Sequence, residues 1–218
     1  MLSSDVYVAP QVAAVKALHQ HTIDNRPKFV FVKDFLAQLA QNLAVGYQRQ
    51  EPAAITELNN YHPDYLGKPE SEIRQQALDM ADFQLVIAKE YGYQDWTQVE
   101  QQANSPLDHE FEIALDILLE GKKDELEAFL NINPSLLQAR SSFGHRAQLI
   151  HYVGSNGVEL WRQVVPLNLA EMTKMLLDKG ADVQSVANVY GGSKVAQLVS
   201  TSGHPWEAGV AKEVLALF

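Results

Sequence analysis

Beyond residue 105 the sequence runs three times through one plan: an apolar-striped helix, a turn, a second striped helix, then a loop. One such pair cannot bury its apolar face alone, so the recurrence predicts stacked pairs sharing a core. The first pass is HEFEIALDILLEGKKDELEAFLNINPSLLQAR. Phe111, Ala114, Leu115 and Leu118 make one stripe, Gly121 ends that helix, and Leu126, Phe129 and Leu130 make the second stripe. Asp124 and Glu127 have the spacing of a capping box. Asn133-Pro134 ends the helix, because the residue before Pro is pushed out of the helical region. The second pass is AQLIHYVGSNG followed by LNLAEMTKMLLDKGADVQS, with Leu169, Met172, Met175 and Leu176 as its stripe. Asn168 and Glu171 are spaced as a cap and its reciprocal partner. The third runs from YGGSKVAQLVSTSG into HPWEAGVAKEVLALF, with Pro205 expected at the first helical position.

The stretch LLDKGADVQS sets the end of the second pass. Gly180 is expected at a positive φ that other residues resist, releasing the chain from the helix into the next loop. Asp182 is then suited to accept nearby backbone amides.

At these residues the chain resembles ankyrin repeats. That family's first-helix pattern is Thr-Pro-Leu-His-x-Ala-Ala-x-x-Gly, and Gln148 to Gly157 occupy those places. Ile150, His151 and Gly157 keep its chemistry, while its Thr and Pro are replaced. The family's second-helix ending meets Leu176, Leu177, Gly180, Ala181 and Asp182, with Gln184 in place of the usual Asn. VELWRQVVPLN reads as an insertion of about ten residues against the usual period of about 33. The N-terminal stretch LVIAKEYGYQDW is similar to one in bacterial-type ankyrin-repeat proteins whose helical N-terminal region precedes a few repeats.

The resemblance implies an all-α protein with an ankyrin-like helix-turn-helix array, an α-solenoid. Its function would be non-catalytic protein–protein interaction. Loop-tip candidates are Phe143, His145 and Arg146, with Tyr190 in the next loop; Trp161 and Arg162 are candidates in the insertion. Aromatic and Arg side chains are the types that anchor interfaces. His151 would bond backbone and join neighbouring turns rather than act as a ligand or base, since no acid or nucleophile accompanies it.

The first half reads as a helical region over residues 1–104, separated from the repeats at 105–218 by the polar QQANSPLDHE. VAAVKALHQH suggests a short helix. KFVFV has strand-like composition but no second alternating run to pair with. Phe35, Leu36, Leu39, Leu43 and Tyr47 predict a helix, and Pro52 opens another. ESEIRQQALDMADFQLVIAKEYG reads as one long helix ending at Gly92, after which Asp95 caps a short one.

Composition excludes several chemistries. The chain has no Cys, so it holds no disulfide, thiolate metal site or Cys nucleophile. Net charge is −10, with 8 basic and 13 acidic residues in 1–104 and 9 and 14 in 105–218. No basic cluster for nucleic acid stands out. MLSSDVYVAPQ lacks the features of a signal peptide and no apolar run spans a bilayer, so a cytoplasmic protein is expected. His19 and His21 point about 200° apart on a helix and do not chelate one metal. The acids of LDHEFE, including Asp108 and Glu112, suit a helix N-terminus. VYGGSK lacks the phosphate-loop pattern. No metal or cofactor is expected. The rival function is an enzyme or small-ligand binder with a pocket between the two halves. The apolar ending VLALF makes a second copy of the chain a candidate partner.

Overall fold

The computed structural model describes residues 5–218. It is mostly helical and falls into two compact units. One comprises 10–107 with Glu159–Trp161; the other comprises residues 5–9, Asp108–Val158 and Arg162–Phe218. The division at 107 lies close to the one read from QQANSPLDHE, but the crossing of Glu159–Trp161 was not foreseen.

The first unit contains α1 (Pro10–Asp24), α2 (Val32–Gln48), α3 (Pro52–Tyr61), α4 (Glu70–Ile73), α5 (Met80–Glu90) and α6 (Trp96–Gln101). Helices α1, α2, α3 and α5 pack on one another around Val12, Val15, Phe35, Leu39, Leu43, Ile55, Leu58 and Val86. Pro52 stands at the start of α3, where its missing N–H has no partner to lose. Asp95 caps α6 through Gln98 N–H at 3.0 Å. The long helix expected over 70–92 is two. Asp79 accepts the Ala81 N–H at 2.8 Å, and the Asp82 carboxylate accepts the Asp79 N–H at 2.8 Å, so a cap forms inside the apolar pattern and restarts the helix. KFVFV contributes a single antiparallel bridge, Phe31 to Pro106, before α2 begins.

The second unit contains β1 (Val6–Tyr7), α7 (His109–Leu119), α8 (Lys123–Ile132), α9 (Leu149–Tyr152), β2 (Val165–Pro166), α10 (Leu169–Asp178), α11 (Val195–Thr201), α12 (Gly203–Glu207) and α13 (Ala211–Leu215). The two short strands pair antiparallel, Val6 with Pro166 and Tyr7 with Val165. Helices α7, α9 and α11 touch in that order, as do α8, α10 and α13, and one apolar core joins them. The helix-pair plan is therefore physically continuous: each pair supplies the wall its neighbour needs.

Equivalent features recur at a shift of 46 residues. Helix α8 begins at Lys123 and ends at Ile132; α10 begins at Leu169 and ends at Asp178. Ser141 N–H donates to Ala147 O at 2.8 Å, as Ala187 N–H does to Ser193 O at 3.0 Å. The residues between α9 and α10 carry the extra length, and α9 is cut to one turn where that excursion leaves it.

Two caps differ from expectation. Helix α8 starts at Lys123 after Lys122, with no side-chain cap, so Asp124 lies inside the first turn instead of preceding it. Asn168 does not cap α10. Its amide donates to Gly121 O at 2.8 Å, where an exposed turn carbonyl is the better partner. Pro205 sits inside the first turn of the five-residue α12, two residues after its start.

Gly180 behaves as its sequence implies. Its φ is +95°, its N–H donates to Leu177 O at 2.8 Å, and Ala181 N–H donates to Leu176 O at 2.9 Å. These two bonds form the Schellman motif, which closes the last turn only with a left-handed residue between them. No atom lies within 4 Å of a Cβ built there, so a side chain would meet backbone strain and no clash. Gly180→Val should cost about 1–3 kcal/mol in urea denaturation. Lys174→Ala, removing an exposed 2.8 Å pair with Asp178, should cost under about 0.5 kcal/mol. Equal small effects would disprove the strained stop. Lys179 is a poorer control, because its ammonium reaches Asn131 Oδ1 at 2.7 Å and Glu127 at 3.4 Å.

Candidate functional site

The two loops that precede α9 and α11 are built as a layered pair. Asn188 N–H donates to His145 O at 2.7 Å, and the Asn188 amide reaches Gly144 O at 3.3 Å. Arg140 Nη1 donates to Arg146 O at 2.8 Å within its own loop and to Val186 O at 2.9 Å in the next. His151 joins them from below. Its Nδ1 accepts the Gln148 N–H at 3.0 Å, and its Nε2 lies 3.2 Å from Ser185 O. A carbonyl at Nε2 requires the proton there, so this is the neutral Nε2–H imidazole. Burial lowers its pKa most, the Ser185 carbonyl raises it, and the nearby Arg140 charge lowers it. The histidine thus has a complete backbone role, which fits a stitch between turns.

The remaining motif residues fall in place around it. Ile150 and Leu176 are buried, and Leu177 and Ala181 are half-buried. Gly157 has φ +69°, and a Cβ there would stand 3.0 Å from Val189 Cβ. Asp182 Oδ1 accepts the Gln184 N–H at 2.8 Å.

The expected partner anchors separate into two groups. Phe143 and His145 are 0% exposed, so they do not project from the tips. The Phe143 and His145 rings meet at 5.9 Å, as do those of His145 and Tyr152, and His145 Nδ1 accepts the Ala147 N–H at 3.1 Å. Their aromatic surface fills the base of the loop. Trp161 and Arg162 are 5% and 1% exposed, so the insertion is not a free arm. Trp161 Nε1 donates to Tyr91 OH at 3.0 Å inside the helical unit. Arg162 Nη2 meets Glu112 Oε2 at 2.6 Å and Asp116 Oδ1 at 3.2 Å inside the repeat unit. Only Arg146 and Tyr190 remain on the surface among the six candidates. Tyr190 is 72% exposed, and each of the two holds a φ of +51°.

The sequence reading also missed a buried polar group in the helical unit. His19 Nε2 lies 2.9 and 3.1 Å from the two Glu57 oxygens, and Glu90 Oε1 accepts the Leu160 N–H at 2.7 Å. His19, Glu57, Glu90 and Glu159 are all 3% exposed or less. Burial, then the Glu57 charge, push the Glu90 carboxyl well above its ordinary range; the Leu160 N–H opposes this and Glu159 adds to it. The protonated form of Glu90 is favoured in the fold. The single signal in the sequence was Glu90 in an otherwise apolar stripe.

The raised pKa has a direct consequence. The folded state binds a proton that the unfolded state releases, so stability is complete below the ordinary carboxyl range and falls as pH rises toward the folded pKa. Glu90→Gln keeps the acceptor for Leu160 and imitates the protonated acid. The variant should gain on the parent by about 1.4 kcal/mol per pH unit through that window. Urea midpoints at successive pH values measure the difference, and a pH-independent gap would contradict the raised Glu90 pKa.

No family model, curated protein or solved structure matches the chain. Among the described residues, no group of three His, Asp or Glu side chains is arranged to hold a metal ion. No described helix is long and apolar enough to cross a membrane.

Proposed function

We propose that the chain is a protein-binding module of the ankyrin-repeat type, an α-solenoid whose exposed loop tips present Arg146 and Tyr190 to another polypeptide. The observation that carries this reading is the His151 stitch: one imidazole bonds the start of its own helix and the carbonyl of the following loop. The layered order of first and second helices and the 46-residue recurrence support it. Ranks of loops held by backbone bonds form a rigid base, and rigid presentation lowers the entropy lost on binding.

Two features select the tips. Tyr190 offers a large ring beside a hydroxyl that donates to Asn156 Oδ1 at 2.7 Å, so its position is fixed in advance. Arg146 donates one Nη1–H to Ser141 O at 3.0 Å and leaves the rest of its fork free to a partner. Both sit in a left-handed backbone conformation that costs an L-residue about 1–2 kcal/mol, and glycine would avoid that cost. Strain kept at exposed positions points to use of the side chains.

A photocrosslinking benzoylphenylalanine at position 190, with the same group at the exposed Lys212 as control, tests the reading in cells of the source. Several-fold more adduct with one defined polypeptide at 190 is expected, whether another protein or a second copy of this chain. Equal adducts at both positions would overturn it.

A further inference from the structure

The loop tips carry positive charge on an acidic protein. The chain has 27 acidic residues, yet residues 128–158 and 183–206 contain no Asp or Glu. These stretches include both loops and three cations, Arg140, Arg146 and Lys194. Arg140 bonds Arg146 O in its own loop and Val186 O in the next, and Lys194 follows Ser193, which pairs with Ala187 next to Val186.

Their charges are left uncompensated. Several other cations meet carboxylates: Lys68 with Glu72, Arg74 with Glu70, Lys122 with Glu120. Among the described residues, none of Arg140, Arg146 and Lys194 forms an ion pair. Each bonds neutral acceptors instead: Arg140 and Arg146 hold backbone carbonyls, and the Lys194 ammonium holds the Gln184 amide oxygen. Asp182, the acid nearest in sequence to Lys194, and Asp108 are already engaged. Asp182 Oδ1 takes the Gln184 N–H, and Asp108 Oδ1 takes the Phe111 N–H as the cap of α7. Guanidinium groups oriented by carbonyls present their remaining N–H donors in a set direction, which suits carboxylates. Tyr190, exposed in the second loop, supplies apolar area.

Resting on the interaction reading above, we propose that the surface of Arg140, Arg146, Lys194 and Tyr190 docks an acidic peptide segment of a partner protein. Charge complementarity selects this occupant. A nucleic acid would also meet the cations, but it would bring a long line of phosphates toward a protein of net charge −10.

Fluorescence anisotropy with the full chain tests this directly. The probes are a short labelled Glu-rich peptide containing Tyr and Leu, a Lys-rich peptide of equal length, and a single-stranded oligonucleotide. The acidic peptide should bind saturably and lose affinity as salt rises. Arg146→Glu with Lys194→Glu should weaken it at least about tenfold. Arg146→Gln with Lys194→Gln should weaken it less, with thermal melts showing both variants folded. Binding of the acidic peptide no tighter than of the Lys-rich one, tighter binding of the oligonucleotide, or indifference to both double variants would overturn the proposal. A polypeptide adduct at position 190 alongside any of those results would leave the interaction reading standing and remove only the acidic partner.

Discussion

Arg162→Ala is expected to destabilise the protein by about 3–5 kcal/mol, the largest effect of any polar substitution proposed for this chain. Its guanidinium is 1% exposed and lies 2.6 Å from the Glu112 carboxylate, which is equally buried. Glu112 and Asp116 stand one turn apart on α7, so both carboxylates face the same incoming Arg. Removing the cation leaves Glu112 charged in a low-dielectric interior, and that stranded charge outweighs the lost attraction. The double change Arg162→Met with Glu112→Leu should restore most of the stability, because an apolar pair of similar volume needs no desolvation. Asp116 remains partly hydrated and needs no replacement. Urea midpoints for the parent, Arg162→Met, Glu112→Leu and the double variant measure the coupling. A single mutant as stable as the parent would show that Arg162 is a surface group after all.

Trp161→Ala should cost a comparable 3–5 kcal/mol, for a different reason. The indole is 5% exposed, and its loss opens a cavity in the helical unit and strips the Tyr91 hydroxyl of an N–H donor at 3.0 Å. Trp161→Phe retains most of the volume and should cost closer to about 1 kcal/mol, the net worth of one hydrogen bond. Near-equal losses for Ala and Phe would mean that the hydrogen bond, not the packing, holds the ring. Full stability for both would return Trp161 to the role of a free partner anchor. Neighbouring residues 161 and 162 thus fail in distinct ways, one by cavity and one by unpaired charge.

Local physics was legible before the fold was known. Stripes at three- and four-residue spacing located most helices, because one buried face is enough to order a helix. Pro52, Asp95, Gly92 and Gly180 fell where their backbone chemistry places them. The helix break at Asp79 was equally local and was still missed. An apolar pattern persists across it and hides the reciprocal Asp79 and Asp82 caps.

The candidate site was legible only in part. Arg146 and Tyr190 lie on the tips, but Phe143 and His145 point inward. An aromatic residue in a loop has the same sequence signature whether it anchors a partner or fills the base of its own turn. Acids were ambiguous in the same way. Glu112 suits a helix start, where dipole and solvent would satisfy it, and its Arg stands 50 positions away.

By itself, then, the sequence determined where most helices form and how several of them stop. Those outcomes depend on neighbours within a turn or two. Tertiary structure alone decided which unit Glu159–Trp161 belongs to, which loop side chains reach solvent, and that burial beside Glu57 raises the Glu90 pKa. Burial and electrostatics depend on distance in space, and the chain brings residues tens of positions apart within 3 Å of each other.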